Sequence, residues 1–465
     1  MTAPLLWIVL PLIFAGVLWP VRNYRVVMLL SGALVFFLAA TAWLLPIETA
    51  MTLGSISIKL GASIEVLGRR LVLTSSNQPF LALIYGSFFF WLIASLAVKI
   101  NHHLILLGLA ITALLVASVA VEPFLYAALL IEMAVLLATP FLAPGGQKPG
   151  KGLLRFLIFQ TLGMPFILFS GWLLAGIEAN PGNLAMILQA AILLGMGFAF
   201  LLAIFPFYTW IPLLAEEAPP FAVGFILWMF PTTVIFFGLG FIDRYTWLRA
   251  SPNLALLFDV VGVLMVVTGG LLAAFQRHLG RIMGYAVIME TGFSLLSLAL
   301  SEKIGLNIFY LLFIPRVLSL IVWSLALTIY KEKAPSLAFN DVKGIGRIRP
   351  LAASGVVLAN LSIAGIPLLA GYPVRQALWG EISRQSLPMA IWIFLGSLCL
   401  FLAAIRTLIV LVSVPEGTPW SIQETWMQRI FMGIGCLAFV CLGLFPQWTL
   451  ILWTGLPALF NHLGQ

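Results

Sequence analysis

The chain has 465 residues, of which 62% are hydrophobic and 9% are charged, and its mean hydropathy is +1.12. Soluble domains carry roughly a quarter charged residues, so this chain could not cover a water-exposed surface. Composition therefore excludes a soluble globular protein and predicts an integral membrane protein that contacts the lipid bilayer. The net charge of +8 is spread through short loops, which indicates insertion signals and gives no reason to expect nucleic acid as a partner.

The apolar segments are continuous and about twenty residues long, which is the length that crosses a bilayer as a helix. Strands of a membrane barrel would instead show short segments of alternating polarity. We therefore predict an all-α polytopic membrane protein. Hydropathy predicts about fourteen spans, at 3–20, 26–46, 80–98, 103–120, 123–143, 152–175, 187–206, 221–242, 254–275, 282–300, 305–330, 351–372, 388–411 and 428–453.

The distribution of basic residues predicts the orientation of these spans. Loops after odd-numbered spans hold most of the lysines and arginines, and loops after even-numbered spans hold fewer. By the positive-inside rule, both termini face away from the cytoplasm, in a bacterial inner membrane or a thylakoid-type membrane. The first basic residue, Arg22, follows the first apolar segment, which predicts a retained helix rather than a signal peptide. The longest outside loop, 47–79, alternates in polarity, so we expect a small β-hairpin over the external face.

An internal repeat is visible in the positions of prolines. Two pairs of prolines, each six residues apart, recur at an offset of 161 residues (367 − 206): Pro206 with Pro212, and Pro367 with Pro373. Arg155 and Arg316 are separated by the same offset (316 − 155 = 161). Each copy then holds five spans, an odd number, so the second copy enters the membrane inverted. The alternative is that the prolines only kink their helices for packing.

The repeat predicts broken helices and a division of the chain. Proline removes a helical hydrogen bond, and in lipid the freed carbonyls are tolerated only beside protein or water. We therefore expect spans seven and twelve to break beside a hydrated cavity. The predicted units are 1–102 (helices 1–3 with the hairpin loop), 103–242 (first repeat, helices 4–8), 254–412 (second repeat, helices 9–13) and 413–465 (helix 14).

Ionisable residues inside a span cost about 2.5–3.5 kcal/mol on insertion scales, so they mark candidate functional sites. The candidates in or beside the predicted spans are Glu132, Arg155, Asp259, Glu290, Arg316, Arg375 and Arg406. A buried carboxylate can exchange protons near neutral pH, whereas arginine keeps its charge. Arg155 could equally extend to the membrane surface, Arg406 could be a structural anchor, and Asp259 could be a solvated end residue. Glu132 and Glu290 lie deeper, which favours a role in proton transfer.

Residues for metals and redox cofactors are not expected in this chain. Cys399, Cys436 and Cys441 lie inside apolar segments without metal-ligand spacing, and no dinucleotide, Walker or haem-attachment motif occurs. We therefore predict no metal site, no cofactor-binding site and no catalytic residue.

Four segments resemble the antiporter-like membrane subunits of respiratory complex I, which are related to Mrp-type cation/proton antiporters and membrane-bound hydrogenases. These segments are IEMAVLLATP at 131–140, GFAFLLAIFPFYTWIPLLAEEAPP at 197–220, AAFQRHLGRIMGYAVIMETG at 273–292 and LSIAGIPLLAGYPVRQALW at 361–379. The resemblance implies two inverted five-helix bundles, each holding half of a proton path, joined by a central polar axis.

The resemblance also implies roles for individual residues. Glu132 stands where the family has its fifth-helix glutamate, and Arg155 stands where the family has the lysine that pairs with it. The family's lysines in helices eleven and twelve correspond to Arg316 and Arg375, and Glu290 matches a polar position in helix ten.

The chain departs from the family pattern at other positions. The family's lysines in helices seven and eight are replaced by Leu201 and Thr232, and its histidine after the seventh-helix break is Tyr208. Tyr208, Thr232, Asp259 and Arg406 are therefore weaker candidates for the proton path.

The resemblance implies a proton-translocating, non-catalytic subunit of a complex I-type quinone oxidoreductase, with a divergent half-channel and other membrane subunits as partners. The alternatives are a non-conducting structural subunit, or a subunit of a cation/proton antiporter, a membrane-bound hydrogenase or a carbon-uptake complex.

Overall fold

Helices dominate the computed structural model of this protein. It describes residues 2–22, 25–49, 51–53, 56–66, 68–100, 103–143, 149–179, 183–300, 302–413, 420–449, 456–460 and 462–463. Within that part of the chain, eleven helices are long and apolar enough to cross a membrane. The protein is therefore an integral membrane protein of mostly helical structure, as the composition predicts.

A π-helical turn at Leu5–Val9 opens the first helix. The α-helices are α1 (Leu10–Leu18), α2 (Arg25–Leu44), α3 (Gln78–Ala94), α4 (His103–Ala120), α5 (Ala127–Leu142), α6 (Lys151–Ala179), α7 (Leu184–Leu201), α8 (Trp210–Glu217), α9 (Pro220–Arg244), α10 (Thr246–Arg249), α11 (Pro252–Phe275), α12 (Leu279–Ala299), α13 (Glu302–Leu311), α14 (Phe313–Lys331), α15 (Pro350–Ala364), α16 (Tyr372–Gln385), α17 (Leu387–Val412) and α18 (Trp426–Leu444).

Apolar helices lie at all the predicted spans, although three of them are shorter than a full span: Leu5–Val21, Leu104–Ala120 and Pro350–Ala364. Three predicted ends are wrong. The helix expected at 187–206 ends at Leu201, the helix expected at 351–372 ends at Ala364, and the helix expected at 428–453 ends at Leu444. Each end comes shortly before a proline (Pro206, Pro367 or Pro446), which lacks the amide hydrogen of a helical bond and disfavours the helical conformation of the residue before it.

The loop between α2 and α3 forms two small hairpins, where the sequence predicts one. Strand β1 (Met51–Leu53) pairs antiparallel with β2 (Ile56–Ile58). In the second hairpin β3 (Ser63–Val66) pairs with β4 (Arg69–Val72), and β4 also pairs with β5 (Val121–Glu122). Strand β5 has two residues, too few to show alternation of polarity.

Both predicted helix breaks are confirmed. Span seven ends with α7 at Leu201 and resumes at α8, after a 3₁₀ turn at Phe207–Thr209. Span twelve ends with α15 at Ala364 and resumes at α16. The second break turns at Gly365, whose φ of +81° lies in the left-handed region that a residue without a Cβ adopts without strain.

We refer to α4–α9 as the first group of helices and to α11–α17 as the second group. In the first group α6 packs on α5, α7 and α8, and in the second α15 packs on α14 and α17 while α12 packs on α11. Contacts between α8 and α12, and between α9 and α14, join the groups. Arg316 of α14 is one of the largest fully buried side chains, as are Trp228 and Trp323. The interior is therefore not uniformly apolar.

Candidate functional site

Three charged side chains meet inside the second group of helices. Glu290 comes from the middle of α12, Arg316 from the first turn of α14 and Arg375 from the first turn of α16. Their exposed fractions are 2%, 1% and 8%. Such residues are costly inside a membrane protein, and their concentration at one place makes this the candidate site.

Arg375 is held from three sides. One terminal nitrogen forms an ion pair with Oε1 of Glu290, and Nε donates to the carbonyl of Ile363 at 3.3 Å. The guanidinium carbon lies 3.6 Å from the ring centroid of Phe293, one turn after Glu290 on α12. Ile363 is next to the last residue of α15, so its carbonyl has no helical partner, and a cation there is favoured by the helix dipole.

The break in span twelve makes this arrangement possible. A Cβ at Gly365 would lie 3.0 Å from Cγ and 3.1 Å from Cβ of Arg375. The residue must therefore be glycine for two reasons: its positive φ and the close approach of the arginine. Ser362 supports the same turn, because its hydroxyl accepts a hydrogen bond of 3.0 Å from the amide of Gly371.

Arg316 lies beside this ion pair without joining it. It interacts electrostatically with Glu290 and with Arg375. Within the described part of the chain, Nε and both terminal nitrogens of its guanidinium are buried and have no hydrogen-bond partner. Glu290, Arg316 and Arg375 therefore form one group, which we call the charged cluster.

Buried polar atoms without a partner also occur on α14, which carries Arg316, and on α15, which contacts Arg375. Ser319 lies one turn after Arg316 on α14, and Asn360 lies one turn before Ile363 on α15. Among the described residues, the Ser319 hydroxyl and both amide atoms of Asn360 have no partner. Thr232, the predicted candidate on α9, is fully buried and its hydroxyl is also unpartnered within that part of the chain.

The chemistry of the charged cluster follows from its residue types. Glu290 is the residue of the cluster whose side chain can exchange a proton, and its carboxylate forms an ion pair with Arg375. The two arginines cannot serve as proton carriers, because guanidinium does not deprotonate in proteins. The cluster is suited to loading one proton on Glu290 in a field set by two fixed positive charges.

The first group of helices presents a different arrangement. Glu132 of α5 is partly buried, and its Oε1 accepts a hydrogen bond of 2.8 Å from the Thr161 hydroxyl of α6. Its Oε2 is buried and has no partner among the described residues. The implied pairing of Glu132 with Arg155 is wrong: Arg155 is exposed, and the residue facing the carboxylate lies six positions later on α6.

Leu201 is buried at the end of α7 and packs against Gly163 of α6, where a Cβ would lie 2.7 Å from its side chain. The Gln160 side chain donates to the Leu201 carbonyl at 3.1 Å and to the Phe200 carbonyl at 3.5 Å. The neutral amide of Gln160 therefore donates to the last carbonyls of α7, whereas the charged guanidinium of Arg375 donates to a carbonyl at the end of α15. The two helix breaks differ in the charge of the side chain that binds them.

The remaining predicted candidates lie apart from the charged cluster. Tyr208 is buried in the 3₁₀ turn of the first break. Asp259 is half-buried in the second turn of α11, and its buried Oδ1 has no partner within the described chain. The guanidinium carbon of Arg406 lies 5.7 Å from the ring centroid of Phe339, which agrees with an anchoring role.

The predicted prolines lie in or beside the two breaks. Pro206 precedes the 3₁₀ turn, and Pro212 is the third residue of α8. Pro367 lies in the loop of the second break, and Pro373 is in the first turn of α16.

The matching family model is that of the transmembrane region of NADH:quinone oxidoreductase and Mrp antiporters, and it matches residues 157–402, more than half of the chain. The chain belongs to this family. The matched region contains both helix breaks and the charged cluster, and the family predicted from the four sequence segments is confirmed.

Curated relatives of this family member include NADH-quinone oxidoreductase subunit N of Moorella thermoacetica, 28% identical over 62% of this chain and 60% of that protein. NADH-quinone oxidoreductase subunit 14 of Thermus thermophilus is 26% identical over 67% of this chain and 71% of that protein. The chain spans between half and two thirds of the length of the first curated relatives that it matches.

Solved structures share the fold over nearly the whole chain. A chain of the archaeal membrane-bound sulfane sulfur reductase covers 98% of this chain and 97% of its own length, with a TM-score of 0.81 at 16% identity. A chain of the Mrp complex from Dietzia gives 0.79 at 14% identity, over 99% of this chain and 97% of its own length. A chain of Thermus thermophilus complex I gives a TM-score of 0.71 at 19% identity, over 97% of this chain and 98% of its own length.

Three neutral polar residues near the charged groups were not predicted from the sequence: Gln160, Thr161 and Asn360. They are uncharged, so the rarity of charge inside a span does not identify them. A polar amide within an apolar span is itself a usable signal, because its burial requires hydrogen-bond partners. Phe293 could not be found in this way, since its ring is ordinary in an apolar span.

Proposed function

We propose that this chain is a proton-translocating, antiporter-like membrane subunit of a complex I-type quinone oxidoreductase, with a divergent half-channel. Membership of the family and the relatives named NADH-quinone oxidoreductase subunit N support this function. The observation that carries it is the buried Glu290 carboxylate between two arginines. An ionisable group buried in the middle of an apolar helix is costly and is usually functional, and a proton path requires a titratable group.

The proposed architecture has fourteen spans in two inverted five-helix repeats, within 103–242 and 254–412. Two observations support the repeat: α7 and α15 end at corresponding positions, and α8 and α16 resume after them, close to the offset of 161 residues (367 − 206) in the sequence. Lysine and arginine in the loops favour both termini on the non-cytoplasmic side of a bacterial inner membrane.

The two halves of the proposed path differ in charge. In the second half, a proton on Glu290 would weaken its ion pair with Arg375, so proton affinity and ion pairing are coupled. In the first half, Glu132 bonded to Thr161 is the acid available, and Leu201 offers no titratable amine. Proton transfer through the first half would therefore depend on Glu132 and on water rather than on a lysine.

Other membrane subunits of a redox-driven complex are the proposed partners. The structural relatives named above are chains of multi-subunit membrane complexes, which supports assembly of this kind. We propose that the chain holds no redox cofactor, so that electron transfer occurs elsewhere in the complex.

A structural subunit that keeps the fold without conducting protons is the second candidate function. Leu201 favours this second candidate. Its apolar side chain packs against Gly163 of α6, and Leu201 stands at the position where the family has a lysine.

Glutamine substitutions separate the two candidates. Glu290→Gln and Glu132→Gln, each in the assembled complex in proteoliposomes, should lower the number of protons pumped per electron without blocking assembly. Glu381→Gln is the matched control, since Glu381 pairs with Arg384 of its own helix, whose side chain is 77% exposed. Unchanged stoichiometry in both test variants, at normal electron transfer, would leave the structural subunit as the function.

A further inference from the structure

The charged cluster has an uncompensated positive charge. Arg316 and Arg375 contribute two positive charges and Glu290 contributes one negative charge, so an ionised cluster carries a net charge of +1. Within the described part of the chain, Glu290 pairs with Arg375, whereas none of the guanidinium nitrogens of Arg316 has a carboxylate partner. The excess charge therefore belongs to Arg316.

Hydrogen-bond donors in the cluster are also in excess. All three guanidinium nitrogens of Arg316 and one terminal nitrogen of Arg375 are buried without a partner among the described residues. Asn360 on α15 has one unpartnered amide nitrogen and one unpartnered amide oxygen, and the Ser319 hydroxyl on α14 can donate or accept, so these two residues do not remove the excess. The carboxylate of Glu290 supplies one free acceptor, Oε2, which cannot serve all the unpartnered guanidinium nitrogens.

Burying an ion without a counter-charge is very unfavourable, because the low-dielectric interior does not replace its hydration. Water could satisfy the hydrogen bonds of Arg316, but water would not neutralise its charge. A bound anion would do both. Guanidinium is also well suited to the task, since its planar fork donates two parallel hydrogen bonds to one anion.

We propose that the charged cluster binds a small monovalent inorganic anion, such as chloride, on the guanidinium of Arg316. One negative charge brings the cluster to neutrality, whereas a divalent anion would leave it negative. The fully buried position of Arg316 restricts the ligand to a small ion. The unpartnered terminal nitrogen of Arg375 is a further donor in the same cluster, and Glu290 weakens the site because its carboxylate repels the anion. This inference goes beyond proton translocation and stands if the subunit does not conduct.

The experiment measures unfolding of the purified chain in detergent, as chloride replaces gluconate at constant ionic strength. A ligand that binds only the folded chain raises the unfolding midpoint as its concentration increases, and the curve gives an apparent Kd. We expect a saturating rise for the natural chain. Arg316→Met should weaken the apparent affinity about tenfold or more, since it removes charge-assisted hydrogen bonds.

Two further variants fix the interpretation. Glu290→Gln should tighten the apparent affinity about tenfold, because it removes the competing negative charge from the cluster. Arg384→Gln is the matched control on an exposed arginine of α16 and should behave as the natural chain. Arg316→Met is expected to fold, since replacing an unpaired buried charge by an apolar side chain of similar length removes a cost.

Crystals of the chain grown with bromide give the second measurement, which does not depend on any variant folding. An anomalous peak within hydrogen-bond distance of the Arg316 guanidinium supports the proposal. Bromide found at surface positions only would mean adventitious ions and would overturn it. A flat chloride response of the natural chain, or an equal response of Arg316→Met, would overturn it too. Neither readout involves proton pumping, so failure here is distinct from failure of the proposed function.

Discussion

Removal of Arg375 should destabilise the chain strongly, because it leaves a buried carboxylate without its ion-pair partner. The exposed side-chain fractions are 8% for Arg375 and 3% for Glu290, so neither group can turn to solvent. Loss of one partner of a buried pair costs about 3–5 kcal/mol. Arg316 remains near Glu290 in Arg375→Met, so we expect the lower end, about 3 kcal/mol of unfolding free energy.

A double-mutant cycle measures whether this loss comes from the pair. The free energy of unfolding is measured by reversible unfolding in mixed micelles for the natural chain, Arg375→Met, Glu290→Gln and the double variant. Replacing both members of a buried pair by neutral groups is often close to neutral. The double variant should therefore be more stable than Arg375→Met, with a coupling energy of about 2 kcal/mol between the two sites. Effects that add to within about 0.5 kcal/mol would refute the ion pair as a source of stability.

Gly365→Ala should lower the free energy of unfolding by at least about 1–2 kcal/mol, because a residue with a Cβ is strained in the left-handed conformation. An unchanged free energy of unfolding would contradict both this strain and the close contact with Arg375. Gln160→Leu should cost about 1–3 kcal/mol, because the last carbonyls of α7 lose their donor. The exposed Gln385→Leu serves as its control, and equal losses would argue against this role. Burial lowers the pKa of His278, at the start of α12, below its usual 6.5, although Glu216 opposes the shift. The unfolded state then binds the extra proton, so the free energy of unfolding should fall as pH drops below about 6.5, by at most about 1.4 kcal/mol per pH unit. The variant His278→Asn should lose this pH dependence. If its free energy of unfolding changes with pH as in the natural chain, other groups cause the dependence.

Much of the fold could be predicted because the membrane imposes a simple rule. A helix must satisfy its backbone and present about twenty apolar residues, so hydropathy alone locates α11 or α17. The helix breaks were also predictable, since Pro206 and Pro367 recur at one offset. The ends of α7 and α18 were not, because the apolar segment continues past the point where a following proline ends the helix.

The candidate site could be predicted only in part. Glu290, Arg316 and Arg375 were identifiable because charge inside a span is rare. Their meeting at one point depends on how α12, α14 and α16 pack, which a linear pattern does not contain. The pairing of Glu132 failed for the same reason: Arg155 is on the right helix but on the wrong face, and Thr161 takes its place.

Proton pumping by the assembled complex carrying both Glu132→Gln and Glu290→Gln tests the central claim most directly, since this double variant removes the buried acid of each half. The ratio of protons pumped to electrons transferred, measured in proteoliposomes, should fall below that of the natural complex and below that of either single variant. A ratio equal to that of the natural complex, at full assembly and normal electron transfer, would contradict proton translocation through this subunit.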